Sequence, residues 1–384
     1  MKKRIIWMPI FCLISGLSVA PAQQAASWQT LSGETRTAGQ GRALIQRLLK
    51  NPRARAISVA VVQDGKVVYH EVAGVVAPNT NQPANERTVF RGASLSKPVF
   101  AYLVMKLVGE GILDLDKPLV AYLDRPLPEF SDYQDLKADD RYRLLTARII
   151  LSHRSGFPNW RIMNPGRRLD FKFTPGEQFK YSGEGYRLFQ MVLEQITGKP
   201  LNELAVEKVF GPLGMKNSSY LWESRFDGNF AVDLNTGLGP LILKTKTTAN
   251  SAGSLLSNAN DYAAFLIATV RGQGLKPGSV EVMLRRHVGI TSTSLHAPQG
   301  TNPGILERID LGWGLGWGRF KCPAGEAIFH TGREEGCDCY AVYFLDRGLG
   351  LVAFSVTDES APVVPTLARE LLGDIYSPFS WLMY

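Results

Sequence analysis

Alternating apolar and polar positions near the start of the chain predict a pair of β-strands. The segment 57–74, ISVAVVQDGKVVYHEVAG, alternates on both sides of Asp64-Gly65, a dipeptide typical of two-residue hairpin turns. Strand-like patterns return after residue 311, in the segments GWGLGWGRF, EAIFH, CYAVYFLD and GLVAFSV. A last helical pattern runs from Pro362 to Leu372.

Helical spacing of apolar residues begins at Ser94 and dominates the middle of the chain. The first pattern ends at Gly109 and tolerates Pro98, because the first turn of a helix has no intrahelical N–H bond to lose. Ser94 is therefore expected at or near a helix N-terminus. Further helices are predicted between Gly and Pro signals, at Glu184–Thr197, Leu201–Val209 and Asn258–Val270.

Strands at both ends and helices between them predict an α+β fold, an α/β sandwich. We expect an antiparallel sheet built from both termini and flanked by helices, with a mainly helical region inserted into it. Residues 23–384 are assigned to a single unit. Its α/β part covers about 23–120 and 276–384, its helical part covers about 121–275, and a cleft between them would hold the functional site.

The N-terminus has the layout of a secretory signal peptide. In MKKRIIWMPIFCLISGLSVAPA, three positive charges precede a short apolar run that ends in small residues. We expect cleavage after Ala22, so residues 1–22 would be lost and the mature protein would be secreted or periplasmic. The apolar run is short for a membrane anchor and no later stretch is long enough to span a bilayer, so stable membrane insertion is not expected.

Composition and charge exclude several other classes. Hydrophobic residues make up 45% and charged residues 20% of the 384 positions, which is ordinary for a globular protein. Loss of the leader removes three basic residues and no acid, so the net charge falls from +8 to +5. The basic residues are scattered, which argues against a nucleic-acid partner. The oligomeric state is left open.

Three cysteines remain after the predicted cleavage. An oxidising compartment allows one disulfide, between Cys322 and either Cys337 or Cys339, with one thiol left over. A zinc site that also uses His330 is the alternative. It lacks the usual two pairs of ligands, so a disulfide or free thiols are favoured and no metal is expected.

A Ser-x-x-Lys motif offers a nucleophile and a base. At i, i+3 on a helix, Ser94 and Lys97 lie on one face, so the amine can reach the hydroxyl. A serine hydroxyl needs a base to become nucleophilic, and a desolvated lysine can have the depressed pKa that this role requires. The preceding Gly92-Ala93 leaves the serine open, and the helix N-terminus offers the Ser94 N–H to an oxyanion.

Two later motifs supply further candidates. Tyr181 lies in FKYSG just before a predicted helix, where its phenol could act as acid or base, although half-buried packing is the ordinary role of a tyrosine. His330 ends the strand-like EAIF and is followed by Thr331-Gly332. The histidine could donate to or charge the Tyr181 region, and the glycine would let a substrate lie along the strand edge.

Together, Ser-x-x-Lys, Tyr-Ser-x and His-Thr-Gly resemble the signature motifs of the serine beta-lactamase and penicillin-binding protein superfamily. Most of residues 45–360 is similar to its class C beta-lactamase branch, which includes esterases, D-alanyl-D-alanine carboxypeptidases and D-aminopeptidases. The segments that carry this similarity are GILDLDKPLVAYL, ARIILSHRSGFPNW, TPGEQFKYSGEGY, KVFGPLGMKNSSY, SAGSLLSNANDYAAFL and DLGWGLGWG.

This resemblance implies a beta-lactamase/transpeptidase-like fold and assigns roles to the motif residues. Ser94 would be acylated, Lys97 and Tyr181 would activate it, and His330 would belong to the third motif.

The resemblance also implies a set of substrate contacts. The backbone N–H groups of Ser94 and Arg333 would form the oxyanion hole, and Gly183, Thr331 and Gly332 would contact the substrate.

Two departures from the family pattern narrow the expected chemistry. Many lactamases of this branch have Asn where this chain has Gly183, and Lys-Thr-Gly where it has His330-Thr331-Gly332. Both changes disfavour efficient beta-lactam hydrolysis. We therefore expect a serine hydrolase without a cofactor, acting on a carboxylic ester or a small D-amino-acid amide or peptide.

Three alternatives remain. One is a class C-like beta-lactamase, and another is a penicillin sensor that is acylated without turnover. The third is an envelope structural protein, against which the presence of all four motif residues argues.

Overall fold

The computed structural model describes residues 26–77, 81–232, 243–245, 247–300, 309–358 and 361–384. Its β-strands are β1 (Ser27–Gln29), β2 (Thr35–Thr37), β3 (Ala54–Gln63), β4 (Lys66–Gly74), β5 (Phe90–Ala93), β6 (Leu255–Ser257), β7 (Val288–Gly289), β8 (Gly312–Trp313), β9 (Gly318–Cys322), β10 (Gly325–Glu334), β11 (Cys337–Phe344) and β12 (Leu349–Thr357). Its α-helices are α1 (Ala38–Leu49), α2 (Ser96–Gly109), α3 (Ala147–Leu151), α4 (Gly183–Thr197), α5 (Leu201–Ala205), α6 (Ala259–Arg271), α7 (Ser279–Leu284) and α8 (Val363–Leu367).

The large sheet joins the two ends of the chain. Its strand order is β4-β3-β12-β11-β10-β9-β8-β7, and all neighbours are antiparallel. The predicted hairpin is present: Gln63 pairs with Lys66, and both Asp64 and Gly65 have positive φ, as a turn of this length requires. The expected antiparallel sheet built from both termini is confirmed.

Helices cover both faces of this sheet. Alternate side chains of β3 point to opposite faces, so Val59 and Val61 join one buried cluster while Ala60 joins the other. On the first face the sheet packs against α1 and α8, and on the second against α6, with α2 in the same cluster. The result is the predicted sandwich of helix, sheet and helix.

Local signals set the helix ends of the middle region. Helix α4 begins after Ser182, whose hydroxyl accepts from the Gly185 N–H, and ends at Gly198 with φ of 67°. Helix α6 is capped by Asn258 and ends at Gly272 in the same way. The helix predicted to run from Leu201 to Val209 stops earlier, at Ala205, because the chain continues into a π-helical turn. The domain limits near residues 120 and 275 stay a prediction.

The predicted disulfide is wrong, because the sheet register keeps its partners apart. Cys322 pairs with Gly325 at one end of β10, whereas Cys339 pairs with Gly332, seven residues further along that strand. At about 3.3 Å per residue these positions are about 23 Å apart, and a disulfide needs Cα atoms within about 7 Å. Cys337 lies beyond Cys339, so all three thiols are free, and the zinc alternative fails for the same reason.

The predicted leader, residues 1–22, lies outside the described residues. Among the described helices, none combines the length and the apolar composition needed to cross a membrane.

Candidate active site

Ser94 lies in a tight turn between β5 and α2, where the small sheet of β5 and β6 meets the helix. The structure corrects its expected position slightly, since α2 begins two residues later, at Ser96. Ala93 has φ of 43°, a left-handed conformation that is strained for a residue with a side chain and is common at functional turns. The buried Ser96 hydroxyl donates to the Ala93 carbonyl and accepts from the Leu255 N–H, which holds this turn in place.

Lys97 is one turn further along and is fully buried. Its Nζ lies 3.0 Å from Ser94 Oγ and donates to the Ala252 carbonyl at 2.7 Å. It also lies 4.7 Å from the centre of the Tyr181 ring. Burial lowers the pKa of Lys97 from 10.5 to about 7. A neutral amine is therefore available beside the serine hydroxyl near neutral pH.

Tyr181 immediately precedes the N-cap of α4 and is buried. Its hydroxyl makes no hydrogen bond of normal geometry within the described part of the chain. Burial raises the pKa of the phenol, and the nearby Ser94 hydroxyl only partly opposes this rise. Tyr181 is therefore protonated at physiological pH and can give a proton to a reacting group, which makes it an acid more readily than a base.

His330 on β10 is fully buried between Tyr181 and Trp313, with ring centroids at 6.1 and 5.4 Å. Its Nδ1–H donates to the Thr331 carbonyl at 2.7 Å, so Nε2 of the neutral ring is an acceptor. Burial, and secondly the charge of Lys97, lowers the pKa of His330 to about 3. With a neutral ring the free nitrogen of His330 accepts and carries no charge, so this geometry favours an acceptor, and the expected donation to the Tyr181 region stays a prediction.

Strand β10 has an open edge next to Ser94. Its pairing with β9 ends at Phe329, while its pairing with β11 continues to Glu334, so one edge of residues 330–334 has no partner in β9. A Cβ atom on Gly332 would lie 2.3 Å from Gly92 O and 3.2 Å from Ser94 N. Only glycine allows this approach, which brings β10 against the serine turn.

Two residues beside Gly332 have side chains that do not face the serine. The Thr331 hydroxyl donates to the Cys339 carbonyl and contacts the Tyr384 hydroxyl, at 3.2 and 2.9 Å. The Arg333 guanidinium donates to the Met383 carbonyl. The side chains of these two residues face the C-terminal segment, so the expected roles of Thr331 in substrate binding and of the Arg333 backbone in the oxyanion hole would fall to main-chain groups and stay predictions.

Gly183 packs against the Trp160 ring. A Cβ atom at this position would lie 2.5 Å from the Trp160 ring, so Trp160 occupies the space that any side chain at residue 183 would need. The Gly183 N–H donates to the Asn159 carbonyl and side-chain oxygens, both at 3.0 Å. Gly183 and Trp160 therefore fit together sterically, because the ring lies where a larger residue at position 183 would place its side chain.

Two cavities flank these residues. The first, of about 300 Å³, is lined by aromatic side chains, by charged side chains and by parts of the segment 248–256; the aromatic ones are Trp160, Tyr220 and Trp222, and the charged ones Arg91, Arg187 and Glu334. The second, of about 210 Å³, is lined by the Tyr181 ring together with polar residues such as Lys180 and apolar ones such as Met163. Both cavities have linings of mixed polarity, the first with two tryptophan rings and the second with the Tyr181 ring.

Sequence reasoning brought Ser94, Lys97, Tyr181 and His330 together correctly but missed His153 and Trp160. Both lie in the segment ARIILSHRSGFPNW, whose similarity to the family branch was the only signal available. His153 is fully buried, and its ring centroid lies 4.2 Å from that of Tyr181.

Comparison with known proteins gives a consistent picture. A family model described as Beta-lactamase matches residues 42–373. The chain is 28% identical to "Esterase EstB" of Burkholderia gladioli over 371 residues, which covers 83% of this chain and 89% of the esterase. It is 28% identical to "Penicillin-binding protein 4*" of Bacillus subtilis (strain 168) over 340 residues, covering 79% and 68%. A solved structure described as "A class C beta-lactamase" superposes with a TM-score of 0.67 at 19% identity, over 87% of this chain and 95% of that one.

Proposed function

The chain belongs to the beta-lactamase family of serine hydrolases, and we propose that it is a secreted enzyme that cleaves carboxylic esters through an acyl-enzyme on Ser94. One observation carries this proposal: the Lys97 amine lies 3.0 Å from the Ser94 hydroxyl in a buried position that favours its neutral form. A serine is a weak nucleophile until such a base takes its proton. Small D-amino-acid amides or peptides are the second substrate class.

Acylation begins with attack of Ser94 Oγ on the ester carbonyl carbon. A bond forms between the two atoms, the serine proton passes to Lys97 Nζ, and the carbonyl electron pair moves to oxygen. The oxyanion accepts hydrogen bonds from the N–H groups of Ser94 and Arg333, an arrangement that the close approach of Gly332 to the serine turn supports.

The tetrahedral intermediate then loses the alcohol. As the bond between carbon and the ester oxygen breaks, the Tyr181 phenol gives its proton to the departing oxygen and recovers one from the Lys97 ammonium. Water next attacks the acyl carbon, its proton passes to Lys97, and Ser94 leaves with a proton returned by the same relay. The enzyme ends in its starting protonation state.

The neighbourhood of Gly183 favours an ester over an acylamide. A side chain at residue 183 would collide with the Trp160 ring as it is packed here, so no group stands at this position to hold an amide. The adjacent cavity of about 300 Å³ offers aromatic walls from Trp160 and Trp222, which suit an apolar acyl group. Trp160→Ala should therefore raise KM for a phenylacetyl ester several-fold more than for an acetyl ester, which serves as the internal control.

Mass spectrometry over time, combined with product assays, tests the reaction. The purified protein is mixed separately with p-nitrophenyl butyrate, a D-alanyl-D-alanine peptide and benzylpenicillin. We expect rapid ester turnover with a transient adduct of one acyl group on Ser94, and loss of both in Ser94→Ala. Equal ester hydrolysis by Ser94→Ala and wild type would refute the proposal.

The same experiment separates the competing functions. A stable penicillin adduct without ester turnover would indicate a penicillin sensor, and rapid penicillin hydrolysis would indicate a class C-like beta-lactamase. Peptide cleavage that exceeds ester cleavage would shift the assignment to the D-amino-acid substrates.

Export is a separate part of the proposal and rests on the N-terminal sequence alone. Expression of the full chain in a bacterium, followed by fractionation and N-terminal sequencing, should yield a periplasmic or extracellular protein that begins at Gln23. An intact leader in the cytosolic fraction would contradict it.

A further inference from the structure

His153 occupies an unusual position at the end of α3. It follows the C-cap Ser152 and has φ of 55°, in the left-handed region that residues with side chains seldom adopt. Its side chain is fully buried. A strained backbone around a buried polar ring persists only when the surroundings hold it there, so the contacts of this histidine are informative.

His153 accepts hydrogen bonds from the residues on both sides of Tyr181. The His153 carbonyl accepts from the Lys180 N–H at 2.8 Å, and its Nδ1 accepts from the Ser182 N–H at 3.1 Å. Between these two hydrogen bonds, the imidazole lies against the phenol ring at a centroid distance of 4.2 Å and an angle of 35°. Residues 180–182 are thus fixed by one side chain and its own peptide.

We propose that His153 is a positioning residue that holds Tyr181 against Lys97 for the reaction on Ser94. This inference rests on the proposed function.

The hydrogen bond to Ser182 also fixes the tautomer. Because Nδ1 accepts from an N–H, the proton of the neutral ring is on Nε2, which is buried and has no partner among the described residues. Burial, followed by the charge of Lys97, holds the pKa of His153 well below its ordinary value. Titratable groups that face this ring come from α2, α4, β10, the segment before α4 and the loop after β7: Lys97, Tyr186, His330, Tyr181 and His296.

A neutral His153 keeps its hydrogen bond from the Ser182 N–H over the working pH range. Protonation of Nδ1 would replace an acceptor with a donor and break the bond from the Ser182 N–H. The environment opposes that event, so the phenol does not shift as the solution is acidified.

The position of the phenol matters to the base as well as to the acid. The Tyr181 ring lies 4.7 Å from Lys97 Nζ, and both side chains are buried. If the ring moved, water would reach the ammonium and the pKa of Lys97 would rise, because burial alone lowers it. A loss of positioning should therefore move the acid limb of the pH profile, which a general loss of stability would not do.

Two variants separate the acceptor from the rest of the side chain. His153→Asn keeps the left-handed backbone tolerable and places Oδ1 where Nδ1 accepted from Ser182. His153→Gly keeps the backbone conformation and removes the acceptor. His70→Asn, a half-buried histidine on the edge strand β4, is the matched control.

Steady-state rates with p-nitrophenyl butyrate at pH 5 to 9, together with thermal unfolding, test the proposal. We expect His153→Gly to lower kcat by about tenfold to a hundredfold with KM changed far less, and to move the acid limb of kcat/KM to higher pH. His153→Asn should retain kcat within about threefold and leave the acid limb of kcat/KM at its wild-type pH. The His70 variant should match the wild type.

The inference fails if folded His153→Gly keeps wild-type kcat and limb, or if folded His153→Asn is as impaired as the glycine variant. If the glycine variant does not fold, the asparagine variant decides alone. Wild type and Ser94→Ala are run in parallel: equal rates in those two would overturn the proposed function and this inference with it, whereas a Ser94-dependent rate confines any failure to His153.

Discussion

Lys97→Met should raise the free energy of unfolding at pH 6, although it removes the proposed base. Lys97 is fully buried, and burial lowers its pKa from 10.5 to about 7. Between these values the unfolded chain binds one more proton than the folded chain, so the stability of the wild type rises with pH there. Below about pH 7 the full penalty of burying the ammonium is present.

The size of the effect follows from the depression of the pKa. One unit corresponds to about 1.4 kcal/mol, so the penalty is about 5 kcal/mol at pH 6 and about 2 kcal/mol at pH 9. Methionine has no charge to bury, but it leaves the Ala252 carbonyl without its donor at 2.7 Å. That loss costs about 1 to 2 kcal/mol at every pH. The variant should thus exceed the wild type by about 3 kcal/mol at pH 6 and nearly equal it at pH 9.

Urea denaturation followed by circular dichroism at pH 6, 7, 8 and 9 measures this difference. Titrating groups that do not interact with Lys97 are common to both proteins and cancel in the comparison, whereas burial, the larger cause, still holds the pKa of His153 and His330 low in the variant. Lys106→Met, on the same helix but only half-buried, is the control for replacing a lysine of α2 by methionine. A difference between Lys97→Met and wild type that stayed constant across this range would show that the pKa of the buried lysine is not depressed.

Further predictions concern the site and its supports. Ester hydrolysis should rise with pH with a midpoint near 7 in kcat/KM, because Lys97 must lose its proton to act as a base. Gly332→Ala would force a Cβ against Gly92 O, so initial rates should fall about a hundredfold and thermal unfolding should show a loss of about 1 to 3 kcal/mol. Arg161→Met leaves the buried Glu184 carboxylate without its ion-pair partner and should cost about 3 to 5 kcal/mol in chemical denaturation, most of it recovered when Glu184→Met is added. Alkylation of the denatured protein without reductant should label every described cysteine, whereas a disulfide-linked peptide would contradict the observed register.

Features set by a few neighbouring residues could be predicted from the sequence. The Asp64-Gly65 turn and the ends of α6 depend on short-range chemistry, namely positive φ in the turn and an asparagine N-cap with a glycine C-cap. The approach of Ser94 and Lys97 was also predicted from their i, i+3 spacing, although Ser94 lies in the turn before α2. In each case the information lies within one or two turns of chain.

Features set by long-range pairing could not be predicted in this way. The error over the cysteines arose because the sheet register, which separates Cys322 from Cys339, depends on strands that join only in the folded protein. The same kind of packing decides which side of β10 Thr331 faces. It also brings His153 into hydrogen bonds with a segment that begins 27 positions later. Neither feature can be read from the local periodicity of apolar and polar residues.

One physical cause accounts for both halves of the proposed proton relay. Burial penalises the charged form of any group, so it lowers the pKa of Lys97 and raises that of Tyr181. A neutral lysine is a base and a neutral tyrosine is an acid, and the two therefore differ in role without needing different surroundings. His330, kept neutral by the same burial, adds no second positive charge and presents only an acceptor. A single proton can then move between serine, lysine and phenol without creating a lasting charge in the site, which is how these buried groups can support acyl transfer.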